Sequence, residues 1–279
     1  MLFRSGEDTE IGTYVGKTLE SELSGNVIDL CPVGALTSKP YAFTSRPWEI
    51  RNTNSIDVSD AVGSNTRVDF RGTEILRVLP RFNEGINEEW ISDKARFMYD
   101  GLKRQRIGST FQKTEGRIKP ASWKSSLGRV NTLLASTDPS KVSFVVGGTT
   151  NTSTLIIIQD FLNKSGISNS AYSNSYQSST PDLSKDYLFN GTIADIEEAD
   201  VCLIINTNPR LEATLLNARL RKRYLQGGFD VAYIGSQTDL TFPATHIGTS
   251  THSLNRIAEG KHHFCQILAN AKNPLILIG

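Results

Sequence analysis

The chain has 279 residues, 38% hydrophobic and 21% charged, enough to close a core and too apolar for wholesale disorder. Thirty Lys and Arg stand against 29 Asp and Glu, a formal net charge of +1, so the basic excess of a nucleic-acid binder is missing. The longest apolar runs, at 155–158, 203–205 and 275–278, fall far short of the roughly 18 residues that a spanning helix needs.

Residues 1–46 are mixed. Met1-Leu2-Phe3-Arg4-Ser5 runs into Glu7, Asp8 and Glu10, which matches neither an acid-poor transit peptide nor an apolar signal peptide. Such a protein is made where it works, or has lost a presequence. Leu19 and Leu23 stand i, i+4 and predict a short helix over 17–23, stopped by Ser24-Gly25-Asn26. The following stretch, 27–36, is apolar but broken by Pro32 and Gly34. No small core closes over 46 such residues, so this segment is expected to pack on something outside the chain.

Residues 47–106 read as a small β-rich domain. Thr66-Arg67-Val68-Asp69-Phe70 alternates with period two, Arg71-Gly72-Thr73 forms a turn, and 74–79 returns, a hairpin ended by Pro80. Its basic tail, Lys103-Arg104-Gln105-Arg106, reads as a solvated surface or a subunit contact. Residues 107–120 are polar and contain Gly, and read as a linker. Trp123, Leu127, Val130 and Leu134 then recur at helical spacing until Asp138-Pro139.

From 121 to 279 the pattern becomes α/β. Apolar runs at 142–146, 201–205, 231–234 and 275–278 alternate with helices at 154–163 and 208–224, as buried parallel strands do in βαβ units. They predict a Rossmann-like, doubly wound half-sheet. Residues 165–180, rich in Ser and Asn, read as a loop. The last strand is fully apolar and stops one residue before Gly279, so the domain is expected to be incomplete at its C-terminus.

Three widely spaced cysteines make no disulfide framework, which fits a reducing compartment. Cys31-Pro32 is the informative pair, because a Cys followed by Pro closes the ligand run of bacterial-type ferredoxins. A four-iron cluster needs four ligands, and Cys202 and Cys265 fall on other elements, so the cysteines of this chain build no cluster by themselves. On spacing alone Cys31 reads as a small buried hydrophobe, as Cys202 and Cys265 do. His262-His263 are neighbours whose side chains leave a helix in different directions, unsuited to sharing a metal. Gly147-Gly148 is not GxGxxG, and Asn206-Thr207-Asn208-Pro209 sits where α/β sheets bind ligands, though a structural turn explains both. Arg219-Leu220-Arg221-Lys222-Arg223 reads as a solvated helix face or a partner surface.

Taken together, several strings resemble the large iron–sulfur subunit of respiratory complex I, its mitochondrial branch more than its bacterial one. The longest runs from Ser24 through Asp29-Leu30-Cys31-Pro32-Val33-Gly34-Ala35-Leu36 to Thr37-Ser38-Lys39. Arg46-Pro47-Trp48-Glu49, Asp57-Val58-Ser59-Asp60-Ala61-Val62-Gly63-Ser64-Asn65, Glu89-Trp90-Ile91-Ser92-Asp93-Lys94 and Asp100-Gly101-Leu102-Lys103-Arg104-Gln105-Arg106 extend it, as does Thr207-Asn208-Pro209-Arg210. The resemblance implies an α/β chain in four parts. Residues 1–46 end a ferredoxin-like iron–sulfur region, 47–106 form a small β-rich domain, 107–120 link, and 121–279 form a Rossmann-like domain of the molybdopterin-oxidoreductase type.

It further implies that Cys31 is the last ligand of a [4Fe-4S] cluster whose Cys-x-x-Cys-x-x-Cys run lies upstream. With Met1 as a true start, that run belongs to a separate polypeptide and Cys31 completes the cluster in trans, in a split subunit. Some relatives hold one further cluster in the β-rich domain. The matching positions are Asp57, Asp60, Ser64 and Ser92, none a cysteine, so that cluster is expected to be absent. No molybdopterin is expected either, because no evident metal ligand stands in a suitable crevice. The implied role is electron transfer from NADH to ubiquinone within the peripheral arm, on the matrix side of the mitochondrial inner membrane, among the other arm subunits. A purely structural subunit, or a molybdopterin-dependent oxidoreductase, are the alternatives.

Overall fold

The structure, a computed structural model, describes residues 2–3, 10–11, 18–148, 150–173 and 189–279. The chain forms two compact units, one of residues 1–104 with 189–279 and one of residues 105–188.

At the N-terminus β1 (Leu2–Phe3) pairs antiparallel with β2 (Glu10–Ile11). The helix expected over 17–23 does not form in residues 18–23, and Lys17 lies outside the described residues. Ser24-Gly25, expected as a stop, instead leads into α1 (Asn26–Leu30). The reason is tertiary. Asp93 accepts hydrogen bonds from Ser24 Oγ at 2.5 Å and Gly25 N at 2.7 Å, and these draw the turn into place.

Three antiparallel strands follow in spatial order: β3 (Arg51–Ile56), β4 (Asn65–Arg71) and β5 (Glu74–Pro80). The predicted hairpin forms, with a tighter turn than expected. Arg71 pairs with Glu74, leaving Gly72-Thr73 at the tip and Gly72 at φ 60°. Strand β3 has no apolar alternation and is exposed along its length, so the sequence pattern could not reveal it. Helix α2 (Asp93–Phe97) is capped by Ser92, whose Oγ accepts from Ala95 N. Its Ala95 packs with Val78, Ile91 and Tyr99 to close this small core. Asn87, 2% exposed, pins the preceding loop: its Oδ1 accepts from Asn65 N at 3.0 Å and its Nδ2 reaches the carbonyls of Arg81 and Trp90.

Among the described residues, the 105–188 unit holds two two-stranded sheets. The segment read as a linker carries a hairpin, β6 (Thr110–Thr114) against β7 (Arg117–Ala121). The predicted amphipathic helix is α3 (Trp123–Ser136), capped by Ser122, and its stripe of Trp123, Leu127 and Val130 is at least half exposed. Strand β8 (Ser143–Gly147), helix α4 (Thr152–Ser165) and strand β9 (Asn169–Ser173) make a parallel βαβ unit, and Gly166 ends α4 at φ 68°. Part of the expected 165–180 loop is thus strand β9, and the remainder, 174–180, lies outside the described residues.

The larger sheet comes last: β10 (Val201–Ile205), then α5 (Pro209–Glu212), α6 (Thr214–Leu225), β11 (Asp230–Ile234), β12 (Thr245–Gly248), α7 (Thr251–Ala258), α8 (Phe264–Asn270) and β13 (Pro274–Ile278). The order is β12-β11-β10-β13, all parallel. The apolar run 142–146 was expected in this sheet but belongs to the β8–β9 pair, and β12, with Thr245 and His246, takes a place there. A β-branched run marks a buried strand without naming its neighbours.

Both faces are covered at the central strands β10 and β11, as parallel sheets require. Cys202, Ile204, Val231 and Tyr233 pack with Leu220 of α6 on one face. Val201, Leu203, Ala232 and Ile234 pack with Phe264 of α8 and Ile257 of α7 on the other. On β13, Leu275 and Leu277 join the first face, while Ile276 and Ile278 stay 52% and 76% exposed.

The basic run on α6 is only partly a solvated face: Arg221 and Lys222 are exposed, while Arg219 is buried. Arg219, buried, donates to Glu197 at 2.8 Å and to the Glu84 carbonyl, and Arg223 donates to the Ala199 carbonyl at 2.7 Å. Lys222 reaches Glu88 at 2.8 Å and Glu197 at 3.0 Å. Its hydrogen bond holds the Glu88 carboxyl below the usual carboxylate range. A depressed carboxylate stabilises the fold above its unfolded pKa and loses that contribution as pH falls through the folded value. Thermal denaturation from about pH 5 to about pH 3 is therefore expected to show a shallower loss of Tm in Glu88→Gln than in the parent chain.

Candidate metal centre

Cys31 is the residue on which α1 ends, with φ −77° and ψ 105°, and its thiol is partly exposed. A turn at Pro32–Val33 and bends at Gly34, Ala35 and Leu36 follow. The Cys31 pKa lies below the ordinary value, lowered chiefly by the backbone of Leu36, with desolvation opposing and the backbone of Val33, Ala35 and Gly34 lowering it further. Gly34 adopts φ 68°, a left-handed conformation that glycine takes without strain. Such a loop stabilises a thiolate, the form that binds iron. Leu30 and Val33, on either side of Cys31, are 59% and 78% exposed, so the sulfur sits on an open apolar surface.

The other cysteines are elsewhere. Cys202 has no exposed surface, lies in mid-β10, and burial pushes its thiol up to about 12. Cys202 is expected to resist alkylation by iodoacetamide at neutral pH in the folded chain and to react after denaturation, which mass spectrometry of the labelled peptide checks. Cys265, on α8, places its Sγ 3.4 Å from the Ile257 carbonyl. The three cysteines thus lie on separate elements, at the end of α1, in β10 and in α8. Among the described residues no group of three or more His, Cys, Asp and Glu is placed to hold a metal. A cavity of about 170 Å³ adjoins the Cys31 turn, lined by Asp29, Thr37, Tyr41, Arg77 and Arg96, and no cysteine faces it.

The positions Asp57, Asp60, Ser64 and Ser92 are largely folded into the β-rich domain's own bonding. Asp57 accepts from Ser59 N at 2.9 Å and Ser59 Oγ at 3.0 Å, Asp60 accepts from Val62 N, and Ser92 caps α2. Desolvation raises the Asp60 pKa, as does the Asp57 carboxylate, while Lys94, whose Nζ donates to Ser59 O at 2.7 Å, opposes that rise. The Ser64 hydroxyl is buried without a partner.

The sequence reading placed His262 and His263 on different faces of a helix. They precede α8 instead, with ring centroids 4.3 Å apart, and the Phe264 amide donates to His262 Nδ1.

The strand order reverses between β10 and β13, so the carboxyl ends of these strands form the switch point where doubly wound sheets bind ligands. Here that crevice is occupied by the chain's own groups. Glu212 accepts from Thr207 Oγ1 at 2.6 Å and from Asn208 N at 3.2 Å. The amide that a phosphate would need is thus bound to a carboxylate, which repels anions. The residues present do not fit the pyrophosphate of a pterin or dinucleotide cofactor.

Family models match the chain in three stretches. Residues 1–37 match the ferredoxin-like domain of NADH-quinone oxidoreductase subunit 3, and 50–100 match the 4Fe-4S domain of the NDSU1/NuoG-like subunit of NADH-ubiquinone oxidoreductase. Residues 98–279 match molybdopterin oxidoreductase. The chain therefore belongs to the molybdopterin oxidoreductase family, with iron–sulfur domain families matched ahead of that region.

Within that class its homologues are large subunits of complex I. It is 49% identical to the NADH-ubiquinone oxidoreductase 75 kDa subunit of Reclinomonas americana, over 98% of this chain and 42% of that one. It is 46% identical to the mitochondrial NADH dehydrogenase [ubiquinone] iron-sulfur protein 1 of Solanum tuberosum and to the mitochondrial 78 kDa subunit of Neurospora crassa, over 98% of this chain and 37% of each. The chain spans about two fifths of the length of these relatives. The resemblance read from the strings is borne out, as is the α/β fold class. The 50–100 stretch, although matched to a 4Fe-4S domain, contains no cysteine. No helix among the described residues is long and apolar enough to cross a membrane.

Proposed function

We propose that this chain is part of the peripheral arm of a mitochondrial NADH:ubiquinone oxidoreductase, on the matrix side of the inner membrane. It supplies Cys31 as one ligand of a [4Fe-4S] cluster, completes that cluster with a separate chain carrying the other three thiolates, and otherwise acts as scaffold among the arm subunits. The observation that carries this reading is the place of Cys31, a partly exposed free cysteine at the end of α1, in a segment matched to a ferredoxin-like domain. When bound, the cluster would supply one-electron transfer. The residues of this chain do the rest. Cys31 offers a sulfur donor, and the neighbouring backbone favours its thiolate form. The exposed Leu30 and Val33 offer apolar surface to the adjoining chain and keep water from the sulfur once covered.

The same reading assigns no second cluster to Asp57, Asp60, Ser64 and Ser92, and no molybdopterin to the switch point. The division at 1–46, 47–106, 107–120 and 121–279 belongs to it as well. Native separation of detergent-solubilised membranes, with this chain followed by antibody, tests the proposal. Migration with one very large assembly that oxidises NADH, together with a chain carrying Cys-x-x-Cys-x-x-Cys, supports it. Migration as a small species without that activity sinks it. Iron at Asp57 or molybdenum in the purified assembly refutes the cofactor assignment.

A further inference from the structure

The α1 helix that ends in Cys31 has no means of holding its own direction. It spans five residues, too few to persist alone, and Gly25 at its N-cap offers no side chain. What fixes it comes from α2, about 65 residues along the chain. Arg96, 4% exposed, directs Nη2 to two residues of α1 at once: Asn26 Oδ1 at 3.1 Å and Asp29 Oδ2 at 2.5 Å. Asn26 in turn donates to the Ile91 carbonyl at 2.8 Å and accepts from Ile91 N at 3.2 Å. Asp93 holds Ser24 and Gly25 just upstream. Gly25 carries no Cβ for a physical reason: one would lie 2.7 Å from Arg96 Cδ and Nε, because the arginine stem crosses directly over it.

We propose that Arg96 is a positioning residue for Cys31, and that the Asp29–Arg96 pair sets the charge felt at its sulfur. This rests on the reading of Cys31 as a cluster ligand. Asp29 lies two residues before Cys31 on the same short helix. Its carboxylate is neutralised by one buried guanidinium, in a charge-assisted bond stronger than a neutral one. The arginine therefore does two things. It aims the end of α1, and it cancels a negative charge that would disfavour adding an electron nearby.

Potentiometric titration of the assembled complex, followed by electron paramagnetic resonance of its four-iron signals, tests this. Arg96→Gln leaves Asp29 unpaired, and the midpoint of one signal is expected to fall. Adding Asp29→Asn to that variant removes the unpaired charge, and the midpoint is expected to return toward the parent value, which repair of a merely structural fault would not produce. Where Arg96→Gln fails to assemble, Asp29→Asn alone serves. It keeps the arginine and the shape of the site, and is expected to raise the midpoint. Unmoved midpoints in Arg96→Gln or in Asp29→Asn, with Cys31→Ala still removing a signal, overturn the role of the pair and leave the ligand reading intact. A complete spectrum in Cys31→Ala overturns the ligand reading, and this inference with it.

Discussion

Cys31→Ala is expected to abolish one four-iron signal from the reduced assembly while leaving the β-rich and α/β cores folded. The size of the effect follows from ligand number. A [4Fe-4S] cluster has four iron corners, and losing a thiolate leaves one iron without its protein donor. The local fold does not depend on this side chain, because α1 is held by Asn26 and Asp29, not by the thiol. Cys31→Ser is the finer probe. Its oxygen is a harder donor than sulfur and suits iron–sulfur clusters less well, so a weakened or shifted signal is expected in place of a missing one. The chain should still migrate with the assembly in both variants. An unchanged spectrum in Cys31→Ala means that the fourth ligand comes from elsewhere and leaves a purely structural subunit.

The legible parts of the molecule were those where pattern and neighbourhood agree. The β4–β5 hairpin alternates with period two around Gly72, and α3 repeats every three to four residues after the Ser122 cap. Strand β10 is apolar throughout because both its faces are covered. Where tertiary contact overrode local preference, the sequence misled. Leu19 and Leu23 suggested a helix, but Asp93 and Ile91 draw the next residues into α1 instead. Strand β3 is polar because it is exposed, and β12 is polar at its start because Thr245 and His246 are exposed, so neither announces itself. At the candidate site Cys31-Pro32 was visible from the pair alone. Arg96 was not, since an isolated arginine after Ala95 carries no signal that it will be buried against residues 67 and 70 positions away.

The same principle gives the largest expected stability effect, at Arg219. In sequence it belongs to a run of basic residues on a helix face, and yet its side chain is 6% exposed and joins α6 to two loops. It pairs with Glu197 at 2.8 Å and donates to the Glu84 carbonyl, so it ties the β-rich domain's 84–88 loop to the segment before β10. Arg219→Ala removes both bonds and opens a buried space beside a carboxylate. Losing one partner of a buried pair typically costs about 3–5 kcal/mol. Lys222 still contacts Glu197 at 3.0 Å, and Glu197 is partly exposed, so about 3 kcal/mol is expected here. Lys222→Ala is the informative comparison. That side chain is 48% exposed, and its loss should cost under about 1 kcal/mol. Denaturant midpoints of the two variants, read at equal slope, separate the cases. Equal, small shifts would mean that the α6 charges are solvated after all, and that the apolar packing of Val62, Ala213 and Leu215 alone holds these segments together.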